Sequence, residues 1–204
     1  SVAETQDARD NSIIALADLI DISTFTRGDG GIVIQTREGV ELASDRAAEL
    51  FFRPTPLSPN NAYPDTAAGI FVGDPRETPA AVDITERGLG GRLEGLITLR
   101  DETFPKQTAQ LDELAHKLAI RFEAQGLRLF TDQSGTIPPD TPPDLTTDPV
   151  TPVEYVGFSS LIEVNSVVLD NPDLVRTGTF GQTGQSIDAN DIIRRVIEYT
   201  FGEV

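Results

Sequence analysis

Between residues 91 and 125 the apolar residues Leu111, Leu114, Ala115, Leu118, Ala119 and Phe122 recur at steps of three and four. No other feature of the sequence restricts the fold as strongly. A stripe with that period is one side of an α-helix and has to be covered. Gln110, Asp112, Glu113, Lys117 and Arg121 occupy the remaining positions and read as solvated faces. Leu93, Leu96, Ile97 and Leu99 extend the pattern upstream, so Pro105 either kinks one long helix or opens a second. Gly126 stands where a left-handed residue closes such a helix.

Ile13, Leu16, Ala17 and Ile20 form a shorter stripe that predicts a helix over residues 7–20. Two β-branched runs, 22–25 and 32–34, flank the Gly/Asp cluster of residues 27–31 and predict a β-hairpin. Glu38-Gly39 supplies a further turn, and 40–42 and 49–53 read as short strands. Residues 54–79 hold six of the fourteen prolines and read as a packed irregular loop, with 69–73 and 81–84 as isolated strands. Six more prolines fall within 138–152, a composition that favours extended polyproline backbone and a semi-rigid connector. Residues 155–164 look strand-like, and Asn165 can cap a helical turn reaching Leu169 before Asn171-Pro172 restarts the chain. Asp188 is placed to cap a last helix bearing Ile192, Ile193, Val196 and Ile197, with Gly202 beyond its end. The expected fold is α+β: a helical bundle or hairpin with a small antiparallel sheet around residues 22–52 and long proline-rich loops. The helix around 111–122 is expected to pack on those around 13–20 and 193–197. Three segments follow: a central body, 1–131; a proline-rich connector, 132–153; and a strand and C-terminal helix, 154–204, packing back on the body.

Charge and composition exclude several functions. With 33 Asp and Glu against 16 Lys and Arg, the net charge of −17 opposes binding to nucleic acid or to an anionic membrane surface. The absence of cysteine rules out disulfides, thiolate nucleophiles and Cys-ligated metals. The single histidine, His116, would have to serve any Ser-His-Asp triad, and no nucleophile-elbow motif accompanies it. It reads as a helix-face or core-edge residue. Asp112 and Glu113 are adjacent on a helix and so diverge, unlike a convergent acid/base pair. Gly88-Leu89-Gly90-Gly91 precedes a helix but lacks the Lys-Ser/Thr of a phosphate-binding loop, so it reads as a flexible lead into that helix. Arg27-Gly28-Asp29 spells the tripeptide that integrins recognise, but three residues recur often by chance, and with Gly30-Gly31 following it reads as a hairpin turn. Asp29-Gly30 starts like a calcium loop without the ligands that should follow, and Asp140, Asp144 and Asp148 lack a turn glycine. No catalytic, cofactor-binding or metal-binding residue is assigned, and no cofactor or enzymatic activity is expected.

The order of motifs resembles a known family. Asp7-Ala-Arg9-Asp10 opens a helix that leads to Asp29-Gly30-Gly31 and returns through Gly39-Val-Glu-Leu42. Gly90-Gly91-Arg-Leu93, Arg100-Asp101, Phe104-Pro105 and Gln110-Leu111-Asp112-Glu-Leu114-Ala115 form a second block closing at Gly126. Ile162-Glu-Val-Asn165, Asn171-Pro172-Asp-Leu174 and Gly178 form a third. Together they resemble the middle of the flagellar hook-associated protein 1 (FlgK) family. The family's long heptad-like end helices have no counterpart here, and Ser1 in place of Met reads as the start of an excised or processed piece. The resemblance implies a secreted structural protein at the joint between hook and filament of a bacterial flagellum, outside the cell. Its implied partners are hook protein, the second hook-associated protein and further copies of itself. The isolated piece, highly acidic and without the end helices, is expected to be monomeric. An extracellular adhesin or ligand-binding module using the proline-rich loops is the alternative, and a glycosidase built on paired carboxylates a more distant one.

Overall fold

A computed structural model describes residues 2–56, 63–64, 66–77, 81–146, 153–180 and 190–202. The chain forms two compact units, Ser1–Pro105 and Lys106–Val204.

The first unit opens with helix α1, Val2–Leu19, longer at its N-terminal end than the stripe suggests. Strands β1 (Ile22–Thr26), β2 (Ile32–Thr36) and β3 (Glu41–Ala43) follow as an antiparallel meander in which Thr24 lies opposite Ile34. The expected hairpin is therefore present. A second antiparallel sheet comprises β4 (Leu50–Phe52), β5 (Ile70–Val72) and β6 (Val82–Asp83), in that order. This corrects two expectations. The 49–53 segment does not extend the hairpin sheet, and the strands at 69–73 and 81–84 are not isolated but pair with it. Phe51 faces Phe71 across the ladder, a partnership separated in sequence by a proline-rich loop that periodicity cannot see through.

Ile20, Leu42, Ile70, Ile84 and Leu89 form this unit's core, with Leu16, Ile34, Leu93 and Ile97 packed against it. Helix α2 (Gly91–Thr98) meets the end of α1 at very short range. Gly90 and Gly91 have φ of 64° and 59°, and a Cβ on Gly91 would stand 2.9 Å from the backbone of Leu19. Only glycine serves there. A π turn, Leu99–Thr103, leads without interruption into α3, Phe104–Ala124. The Phe104 N–H bonds to the Leu99 carbonyl, so Pro105 sits just past a widened turn and neither breaks nor restarts the helix. Arg100 donates to the Ala68 carbonyl at 2.9 Å while half-buried against Asp101, tying the π turn to the loop ahead of β5.

In the second unit α3 buries Asp112, His116, Ala119 and Phe122. Leu111 and Leu114, expected inside, are 55% and 66% exposed, which corrects the reading of the stripe. Leu118 and Phe122 do join the core, with Leu127, Val168, Ile192 and Val196. Gly126 ends α3 at φ 92°, and Leu127 N–H reaches back to the Phe122 carbonyl, a left-handed closure of the expected kind. Strand β7 (Phe130–Thr131) pairs antiparallel with β8 (Glu163–Val164). Between them lies a 3-10 turn, Phe158–Ser160, entered through Gly157 at φ 87°. The expected strand over 155–164 is thus mostly turn, because a left-handed glycine cannot continue an extended run. Asn165 caps α4 (Ser166–Asp170), its side chain accepting from Val167 N–H as expected. Helices α5 (Leu174–Thr177) and α6 (Asp191–Thr200) complete the unit. Of the expected Ile192, Ile193, Val196 and Ile197, Ile192 and Val196 are buried on α6, whereas Ile197 is exposed. The proposed cap at Asp188 lies outside the described residues.

Ile192→Ala should cost about 2–4 kcal/mol, because a fully buried side chain leaves a cavity behind. Leu114→Ala should change stability by no more than about 0.5 kcal/mol, as an exposed position does. Denaturant melts of the two variants check this, and equal losses would contradict the burial described.

Candidate assembly surface

The residues with chemical potential are placed in structural roles. Asp112 is only 1% exposed, and its carboxylate accepts the N–H of Gly157 at 2.7 Å, the N–H of Ser159 at 2.9 Å and the Ser159 hydroxyl. The expected solvated face of Asp112 and Glu113 is therefore wrong for Asp112, whereas Glu113 is exposed. One turn on, His116 is fully buried, its Nε2 lying 2.7 Å from the Pro138 carbonyl and its ring stacked on Tyr155 at 4.3 Å. No serine or carboxylate side chain bonds to that ring among the described residues; its Nδ1 has no partner there. The pair clasps the loops at 138 and 157–159 to α3.

Arg27-Gly28-Asp29 forms the tip of the β1–β2 hairpin. Arg27 N–H bonds to the Gly31 carbonyl at 2.7 Å, and the guanidinium is turned onto Asp45. Asp29 accepts the Gly31 N–H at 2.9 Å, and that bond, with Arg27 nearby, holds its carboxyl below the usual range. At the 88–91 glycines, the Gly90 N–H is taken by the Glu94 carboxylate, which fills the place an anion would need. Asp140 pairs with Lys117 at 3.0 Å, Asp144 accepts from Thr146, and Asp148 lies outside the described residues. Among the described residues no group of three or more His, Cys, Asp or Glu is placed to hold a metal ion.

The remaining feature is a surface. Leu111 and Leu114 on α3 stand exposed, as do Ile197, Tyr199 and Phe201 at the end of the chain. A groove of about 520 Å³ lies between α3 and the end of α6, lined by Leu114, Leu118 and Phe201 together with Glu113, Lys117 and Arg121. Arg121 reaches across to the Thr200 carbonyl at 3.4 Å. An apolar strip edged by both signs of charge is suited to packing against another protein surface. Sequence periodicity found these leucines but assigned them to the core. The signal for the other choice is the Asp112–His116 pair, and its partners at 138 and 157–159 cannot be read from spacing.

Two outcomes follow from this geometry. Asp112→Ala strands three donors and should cost about 2–4 kcal/mol in urea melts, against about 0.5 kcal/mol or less for Glu113→Gln. Asp132 gathers the hydroxyl and N–H of Ser134 and those of Thr136, which pull its carboxyl down to about 2. Because its folded-state value lies below the ordinary one near 3.8, its contribution to the turn is complete above that value and is lost as pH falls toward 2. NMR titration of the Asp132 carboxyl should give a midpoint near 2, and one near 4 would contradict the bonded turn.

No helix among the described residues is long and apolar enough to cross a membrane. Against known proteins, residues 2–136 match the family model of the flagellar hook-associated protein FlgK helical domain. No curated protein and no solved structure matches the chain. The comparison lends the adhesin alternative no support, and the match takes in α1, both three-stranded sheets, α2, α3 and β7. This α+β chain, its apolar strip turned outward on α3, belongs to the FlgK family of flagellar hook-associated proteins, structural components of the bacterial flagellum.

Proposed function

We propose that the chain forms part of the body of hook-associated protein 1, joining hook to filament outside the cell. The observation that carries this reading is the match to the FlgK helical domain over residues 2–136. The exposed strip on α3 supports it, since a protein whose work is adhesive needs apolar surface left uncovered by its own fold. In this reading Leu111, Leu114 and Phe201 pack against other parts of the flagellar axis. Hook protein, the second hook-associated protein and neighbouring copies are the partners. At −17 per chain, isolated bodies repel one another and remain monomeric at micromolar concentration in moderate salt. The absence of cysteine suits passage as an unfolded chain through an export channel before folding outside.

Antibodies raised against this chain should label flagella at a single band where hook meets filament in electron micrographs. Label spread along the filament or over the cell body would overturn the assignment. Introducing Leu111→Asp with Leu114→Asp into the flagellar protein should leave the fold of this chain intact and abolish its incorporation at that band. Light scattering after size-exclusion chromatography tests the monomer, and a stable dimer or ring would contradict it.

A further inference from the structure

The apolar stripe of α3 and the face it buries disagree by one position, and the disagreement starts upstream. At steps of three and four, an unbroken helix carries Leu93 and Ile97 on through Phe104 to Leu111, Ala115 and Leu118. Instead α3 buries Asp112, His116 and Ala119, the same positions moved on by one. Leu118 and Phe122 stand on the margin common to both faces and keep their place in the core. Between the two ends of the pattern lies the π turn, Leu99–Thr103. A π turn takes up one residue more than an α turn, so the positions facing one way after it move on by one, about 100° round the axis.

Several groups keep that turn wide. Pro105 has no N–H to give, and in an ordinary turn its ring would meet the Asp101 carbonyl. Arg100 donates to the Ala68 carbonyl at 2.9 Å and forks onto the Asp101 carboxylate at 2.6 and 2.8 Å. Both side chains are held in, 16% and 17% exposed, and Ala68 is itself fixed by its N–H to the Thr55 hydroxyl. These bonds are made from within the turn, so closing it would disturb them. Farther along, the donors of Gly157 and Ser159 meet a carboxylate only if position 112 faces them.

We propose that the π turn is a phase insert that turns the leucines of α3 outward, with Arg100 and Pro105 as its positioning residues. The proposal rests on the reading of Leu111 and Leu114 as assembly surface. Without the insert, the same residues would carry Leu111 toward the core and take Asp112 off it. Such a helix covers its own apolar stripe and leaves little at the surface to adhere with. The choice between self-burial and adhesion is thus made in a turn that touches neither leucine.

The test reads leucine exposure in the isolated chain, apart from any assembly. Methyl-labelled leucines are followed by NMR with a soluble gadolinium chelate, which broadens exposed methyls. Leu111 and Leu114 should broaden strongly in the unaltered chain. Arg100→Ala with Pro105→Ala lets the turn close with every residue retained, and both leucines should then lose most of that broadening. Deletion of Glu102, an exposed residue of the turn, removes the extra residue itself and so preserves the phase downstream. That variant should stay folded with both leucines open. Ile192→Ala, which destabilises without touching the turn, should leave them open too, separating a change of phase from loss of stability. Unchanged broadening in the folded double variant would overturn the proposal, as would protection or unfolding in the deletion variant. Should the double variant not fold, the deletion decides alone. In the flagellar protein, the double variant should be lost from the band where hook meets filament while the deletion variant remains. Leucines that turn inward in the isolated chain with no change at that band would refute the assembly reading and leave the phase insert standing.

Discussion

The loops that follow α3 are rich in proline and polar residues, and what fastens them to the helix is the carboxylate of Asp112. Its acceptance of two N–H groups and a hydroxyl from residues 157–159 offsets the cost of taking a charge out of water. The same bonds fix which way α3 is turned. With side chains stepping by about 100° per residue, burying position 112 carries 116 and 119 inward and leaves 111 and 114 well away from that face. The uncovered leucines and the anchored loops are thus two results of one buried acid.

Much of the first unit was legible from local chemistry. The hairpin follows from β-branched runs about a Gly/Asp turn, whereas the glycines at 90 and 91, read as a flexible lead into a helix, serve a tight approach of α2 to α1 that only the structure discloses. Asn165 as a cap and Gly126 as a left-handed stop are likewise local signals, and both stand where the residue types placed them. Long-range choices were not legible. Nothing near Leu50 shows that its strand joins residues 70–72 instead of the hairpin. Nor does the region around 155–164, rich in aromatic and β-branched residues, disclose that Gly157 turns left-handed and sends its N–H to an aspartate on another element.

Motifs fared according to whether their partners were close in sequence. Arg27-Gly28-Asp29 is shaped into a hairpin tip by bonds within the turn itself, as its residue types announce, while the partner of the Arg27 guanidinium, Asp45, comes from a later segment. The Arg100-Asp101 dipeptide gains its meaning only from Ala68, more than thirty residues away in sequence. His116 is similar. Sequence reads it as a helix-face or core-edge residue, and only distant segments, supplying a proline carbonyl and two aromatic rings, make it a fully buried group.

The sheets carry a consequence for how copies of this chain can meet. Among the described residues every edge strand is short: five residues in β1, three in β3 and β4, two in β6 and in each strand of the β7–β8 pair. A foreign strand laid along any of them would gain only a few ladder bonds, too little to seed runaway strand pairing. Crowded shoulder to shoulder, such molecules are protected against fusing through their backbones. Their adhesion is left to side chains, which can be specific and reversible where a continuous ladder is neither.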